Sequence, residues 1–294
     1  AELLRAGRLV AVPTETVYGL AARADSESAV AEIFRAKGRP DFNPLIVHVA
    51  SLEQARTLAE FDARAEMLAA RFWPGPLTLV LRAKPGSPVV PAVTAGLDTV
   101  ALRLPDHAAM RRLLELVGLP LAAPSANRSG AISPTTPEHV ARSLGPAVAA
   151  ILDGGACTRG VESTIVALRE GGGWHLLRPG PIPQEELASV LGDPSGLGEL
   201  RIEAPGQLTQ HYSPGKPLRL GALRPDADEF MIGFGEVPGD CSLSEAGDTA
   251  QAAARLYACL HEGAASPKPR IAVAPLPTEG IGAALNDRFR RAAA

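Results

Sequence analysis

Residues 8–20 read RLVAVPTETVYGL. The apolar run Leu9–Val12 has the length and composition of a short buried strand. It stops at Pro13, which cannot donate to a sheet ladder, and opens into the polar triplet Thr14-Glu15-Thr16. In α/β sheets, the loops that follow strand ends are where ligands sit. The same triplet also suits a turn capped by its own hydroxyls. This stretch alone leaves both readings open.

Outward from it, strand-like and helix-like segments alternate. Leu45–Val49, Leu77–Leu81, Val100–Leu104, Leu119–Ala123, Ala149–Leu152, Thr164–Leu168 and Trp174–Leu177 read as strands, with a turn at Glu170–Gly173 before the last. A helix follows a cap at Asp25 or Ser26, lines one face with Val30, Ile33 and Phe34, and stops at Gly38. Asp106–Val117 and Pro137–Leu144 are further helices. The expectation for residues 1–200 is an α/β domain on a partly antiparallel, twisted mixed sheet. Residues 201–216, RIEAPGQLTQHYSPGK, have no period and read as a linker, although His211 and Tyr212 are odd in a plain spacer. Residues 217–294 restart as a small α/β domain: strands Pro217–Leu220, Phe230–Phe234 and Ile271–Ala274, helices Thr249–His261 and Ile281–Arg291.

Composition bounds the function. With 294 residues, two domains are expected at roughly 100–200 residues each. Net charge is −3 and no basic block occurs, which disfavours a general nucleic-acid binder. No apolar run has the length of a membrane span, and residues 1–7 lack the apolar stretch of a signal peptide. Cys157, Cys241 and Cys259 are far apart and match no zinc spacing. Three unpaired buried thiols in a cytoplasmic protein are the expectation.

Common catalytic motifs are missing: there is no GxxxxGK[ST], HExxH or GxSxG. What stands out is polar residues in apolar places. Arg35, Lys37 and Arg39 cluster where a helix ends. A helix C-terminus is partially negative, so a phosphate there must be held by side chains. His48 and Arg103 each sit inside an apolar strand. A buried Arg needs a partner, so either an acid arrives from elsewhere in the fold or a ligand anion supplies the charge. Ser125-Ala-Asn127, Glu162-Ser163-Thr164 and Arg178 add small donors and another cation at strand ends. Together they suit chemistry run by positioning and charge neutralisation, as in nucleotidyl transfer.

The strings PTETVYGL (13–20), KGRP (37–40), NPLIVHV (43–49) and PSAN (124–127) resemble the Sua5/YrdC family of threonylcarbamoyl-AMP synthases. HYSP (211–214) and the extra domain resemble its two-domain Sua5 type. The resemblance implies a YrdC-like catalytic domain (1–200), a linker that can act as a lid (201–216) and a Rossmann-like C-terminal domain (217–294). It implies condensation of L-threonine, bicarbonate and ATP, with Mg²⁺, to threonylcarbamoyl-AMP and pyrophosphate. The product would pass to a transferase that modifies adenosine 37 of tRNA. By motif, threonine would meet Thr16, His48, Arg103, Ala123 and Ser163. The nucleotide would meet Lys37, Arg39, Asn43, Thr99, Ser125, Asn127, Ser133, Arg178 and Tyr212, with Lys37 and Arg39 catalytic. One departure stands: family linkers often carry basic residues where this chain has Gln207-Leu-Thr-Gln210. Competing readings are a carbamoyl-adenylate-forming enzyme, a non-catalytic RNA-binding module and a regulatory ATP- or amino-acid-binding protein.

Overall fold

The computed structural model describes residues 1–40, 42–195, 203–206 and 211–294. The first unit runs α1 (Glu2–Arg5), β1 (Val10–Val12), β2 (Gly19–Arg23), α2 (Glu27–Lys37), β3 (Ile46–His48), α3 (Leu52–Leu58), α4 (Ala63–Phe72), β4 (Leu77–Arg82), α5 (Pro91–Thr94), β5 (Thr99–Arg103), α6 (Ala108–Val117), β6 (Leu121–Ala122), α7 (Pro137–Leu144), β7 (Ala150–Ile151), β8 (Thr164–Leu168), β9 (Trp174–Arg178) and α8 (Gln184–Leu191). The second runs β10 (Leu218–Leu220), β11 (Glu229–Gly233), β12 (Cys241–Ser242), α9 (Thr249–Ala265), β13 (Arg270–Val273) and α10 (Ile281–Ala293).

Among the described residues, nine strands form one mixed sheet in the order β7-β1-β2-β6-β3-β5-β4-β8-β9. Its registers place the functional candidates. β3 and β5 are parallel with His48 opposite Arg103, so both polar side chains stand together at the carboxyl ends of their strands. β1 and β2 are antiparallel, with Val12 opposite Gly19. Residues 13–18 are therefore a hairpin loop, and the expected passage from strand through loop to helix is corrected by the insertion of β2. Its sequence, GLAAR, lacks the β-branched and aromatic residues that mark strands.

α2 forms as expected. The Ser26 hydroxyl accepts from Ala29 N, and Gly38 ends the helix in the left-handed region at φ 59°. Asp25, the other capping candidate, instead pairs with Arg23 at 2.7 Å.

The second unit is a separate four-stranded sheet, β10-β13-β11-β12, parallel throughout. Cys241 on β12 and Cys259 on α9 form a disulfide, 5.9 Å between Cα atoms. This corrects the expectation of three unpaired thiols; only Cys157 is free. The two lie 18 positions apart, and a strand-to-helix crossover brings them together in a way that spacing does not reveal.

The two units share apolar packing. Val17, Ile132, Val161 and Tyr212 belong to the same buried cluster as Leu256, Tyr257, Leu285 and Phe289. At Gly160 (φ 68°) an added Cβ would lie 2.3 Å from the Ala253 carbonyl oxygen of α9, so only glycine permits this approach. His139 of α7 stacks on His261 of α9, with ring centroids 3.7 Å apart. The described parts of 203–216 are not a solvent-spanning spacer: Ala204 and Tyr212 are buried.

Candidate active site

A cavity opens where the hairpin loop, the ends of β3, β5 and β9, the 123–125 strand end and the linker meet.

At one end lies the loop 13–18. Thr14 Oγ1 donates to the Val17 carbonyl (2.7 Å) and accepts from the Thr16 and Val17 amides (both 3.2 Å). The turn is thus capped by its own hydroxyl. It also presents Thr16 to the cavity, so the two readings of this stretch coexist. Arg103 donates through Nη1 to Thr16 Oγ1 (2.9 Å), through Nη2 to Glu15 Oε1 (2.6 Å) and through Nε to the Gly75 carbonyl (3.3 Å). The acid that Arg103 needs therefore arrives from elsewhere in the fold, from Glu15, the first of the two alternatives its burial left open. These contacts use three of the five guanidinium N–H groups. Glu15 Oε2 and His48 Nδ1 are buried without a hydrogen-bond partner among the described residues. Burial, and then the charge of Arg103, pushes the His48 imidazole down to about 3. His48 is neutral at physiological pH and offers a ring nitrogen as acceptor.

At the other end stand two guanidinium groups. Arg39 donates to the carbonyls of Asn43 (3.3 Å) and Pro44 (3.0 Å). Arg178 donates to the Ser163 carbonyl (3.0 Å), Ser163 Oγ (3.0 Å) and the Pro205 carbonyl (3.3 Å). Among the described residues, neither forms an ion pair with a carboxylate within 4 Å. Burial, followed by the like charge of Arg178, lowers Arg39 to about 10. The ionised Glu162 offsets part of the Arg178 charge, and burial of two cations favours a further anion between them.

The linker roofs the cavity with Pro205, Gly206, His211 and Tyr212. Tyr212 takes φ 67°, a conformation rare for a bulky side chain. It is held on both flanks: Ser213 N donates to the Gly130 carbonyl (2.8 Å), and His211 N to the Arg291 carbonyl (3.2 Å). Its ring packs 4.1 Å from His211 and 5.4 Å from Tyr257. The segment 207–210, where basic residues are missing, lies outside the described residues.

The structure brings Thr16, Arg39, His48, Arg103, Ala123, Ser125, Arg178 and Tyr212 to the cavity surface. Lys37, Asn43, Asn127, Ser133 and Ser163 are buried behind it. Lys37 Nζ donates to the carbonyls of Ser125 and Asn127, tying the end of α2 to the wall rather than lining it. Burial, then Arg39, puts Lys37 well below the ordinary lysine value. Ser133 Oγ donates to Glu162 (2.6 Å), and Ser163 Oγ meets Thr78 Oγ1 (2.7 Å). Thr99 is not brought in. It starts β5, four residues before Arg103, about 13 Å along an extended strand. It faces a separate surface pocket with Arg82 and Arg169.

Sequence reading missed the contribution of the second unit. Glu162 lines the cavity and accepts from Tyr257 of α9 (2.8 Å) and Arg288 of α10 (2.8 Å). Burial alone would raise its carboxyl; Arg288 and Arg178 outweigh that and hold it at about 2. A signal for Arg288 existed: it shares a helix face with Ala284, Leu285 and Ala292.

Residues 2–180 match the family model Sua5/YciO/YrdC, described as "Telomere recombination". The chain belongs to the Sua5/YciO/YrdC family. Residues 182–294 match the model described as the C-terminal domain of threonylcarbamoyl-AMP synthase. Within the Sua5 group, the chain is 53% identical to the threonylcarbamoyl-AMP synthase of Pyrococcus abyssi over 224 residues, 73% of this chain and 64% of that one. It is 46% identical to that of Bacillus subtilis, over 79% of this chain and 68% of that one. Those two alignments thus span about two thirds of each relative. The crystal structure of P. abyssi Sua5 complexed with L-threonine superimposes with a TM-score of 0.89 at 39% identity, covering 99% of this chain and 92% of that one.

Proposed function

We propose that this Sua5-type chain is an L-threonylcarbamoyladenylate synthase, a nucleotidyltransferase that condenses L-threonine, bicarbonate and ATP. The observation that carries the reading is a single cavity with two unlike ends: Arg103, His48 and Thr16 at one, Arg39 and Arg178 at the other. The first end suits a small amino acid, and a close structural relative is described as complexed with L-threonine. The second end suits an anionic chain such as a polyphosphate.

Arg103 and Thr16 hold the amino-acid carboxylate, and neutral His48 accepts a hydrogen bond from the substrate. Ala123 shapes that end, and Ser163, behind the wall, holds Arg178. The amine attacks the bicarbonate carbon, and water is lost. The resulting N-carboxylate attacks the α-phosphorus of ATP, and pyrophosphate departs. Arg39 and Arg178 offset the charge on the phosphates. Ser125 meets the nucleotide directly. Lys37, Asn43, Asn127 and Ser133 hold the wall behind it, and Tyr212 roofs it and limits water entry. Thr99 has no place in this account.

Mg²⁺ is proposed as an ion that enters with ATP. The described residues contain no group of three His, Cys, Asp or Glu that could hold a metal, and both oxygens of Glu162 are already engaged. No step above depends on a protein-held metal. The product would pass to a transferase acting on tRNA, and the cytoplasm is the proposed compartment. No helix among the described residues is long and apolar enough to cross a membrane.

Mass spectrometry of the reaction mixture tests the substrate class. Threonylcarbamoyl-AMP formed from threonine and bicarbonate supports the reading. Carbamoyl-AMP formed from carbamoyl phosphate instead would replace it with the carbamoyl-adenylate alternative.

A further inference from the structure

Arg288 lies on α10 of the second unit, yet its contacts converge on one end of the cavity. Its side chain is fully buried. Nε donates to Glu162 Oε2 (2.8 Å) and Nη2 to the Pro179 carbonyl (3.0 Å), partners 126 and 109 positions away in sequence. Nη1 donates to Asp287 Oδ2 (2.6 Å). The guanidinium carbon lies 5.5 Å from the centroid of the Tyr212 ring. Glu162 and Tyr212 line the cavity, and Pro179 directly follows Arg178. Tyr257 of α9 donates to Glu162 alongside it. Among the described residues, Arg288 makes no hydrogen bond to Thr16, His48 or Arg103.

A buried ion pair is weak evidence for stability, because desolvation offsets most of its attraction. What a planar guanidinium supplies instead is fixed direction. We infer that Arg288 is a positioning residue for the nucleotide end: through Glu162, the Pro179 carbonyl and the Tyr212 ring, it sets Arg178 and the roof in place. The second unit thereby completes the nucleotide end of a cavity whose threonine end is built entirely by the first. This rests on assigning ATP to the Arg39–Arg178 end.

The test uses the full chain as wild type, Arg288→Gln, Arg288→Lys and Tyr257→Phe. Calorimetric titration gives separate Kd values for ATP and L-threonine, pyrophosphate release gives KM for each, and thermal melting checks folding. Arg288→Gln is expected to weaken ATP binding roughly tenfold or more, the worth of one charge-assisted hydrogen bond. Threonine affinity is expected to stay within about twofold, since its end has no contact with Arg288. Arg288→Lys falls between wild type and Arg288→Gln, because the charge remains and the fork does not. An unchanged ATP Kd, or equal losses for both ligands, overturns the inference. If Arg288→Gln does not melt cooperatively, Arg288→Lys and Tyr257→Phe decide by the same criterion. A wild type that binds ATP without releasing pyrophosphate overturns the synthase reading, and the two Kd values still decide the role of Arg288. A wild type that does not bind ATP overturns both.

Discussion

Arg103 and Glu15 form an ion pair, 2.6 Å from Nη2 to Oε1, with both side chains at most 5% exposed. The pair joins the end of β5 to the hairpin loop 13–18 and fixes the guanidinium that faces the amino-acid end. Removing one partner strands the other as an uncompensated charge. Arg103→Met is expected to cost roughly 3–5 kcal/mol of stability and to abolish threonine binding. Adding Glu15→Gln should recover most of the stability and none of the binding. Denaturant melts and threonine titration of both variants check this; restored binding in the double variant would remove Arg103 from the site.

Arg39 and Lys37 are two residues apart and have different predicted effects. Arg39 faces the cavity, so Arg39→Ala should slow pyrophosphate release roughly 10²-fold or more, the scale of a lost transition-state contact. Lys37 holds two backbone carbonyls behind the wall. Lys37→Met should therefore lower the melting temperature as well as the rate, leaving buried carbonyls that each cost about 1–3 kcal/mol. A near-wild-type rate for Arg39→Ala would contradict the proposed role.

Much of this site was legible because it violates patterning. An Arg and a His inside apolar strands mark a polar interior, and the parallel register of β3 and β5 brings them together as their placement suggested. Glu15 lies 88 positions from Arg103, so only the folded chain shows which acid pairs with it. Thr99 and Arg103 share a strand, and a motif match cannot show that its two ends open on different pockets. β2 was hidden because alanine carries little strand signal. The disulfide and Arg288 depend on crossovers in the second unit, where local sequence says least about who meets whom.

Stability should fall as pH drops from neutral. His261 and His139, lowered chiefly by desolvation to about 3 and about 4 from 6.5, are half-buried, neutral at pH 7, and stack across the two units. Their contribution is full above about 6.5 and is lost as pH falls toward those values. Glu162 titrates at about 2 against an ordinary 4.5. Its contribution, on the order of 3 kcal/mol, is present above about 4.5 and disappears as pH falls through about 2. Urea midpoints between pH 7 and pH 3 should decline throughout. His261→Gln should flatten the upper part of that decline and Glu162→Gln the lower; a Glu162→Gln profile that keeps the wild-type slope below pH 4.5 would contradict this assignment.

Pyrophosphate release from ATP, with threonine and bicarbonate added singly and together, tests the central claim most directly. The two-ended cavity predicts release only when both are present, because the N-carboxylate that attacks the α-phosphorus needs both. Release with neither, or none from a folded chain that binds ATP and threonine, would contradict it.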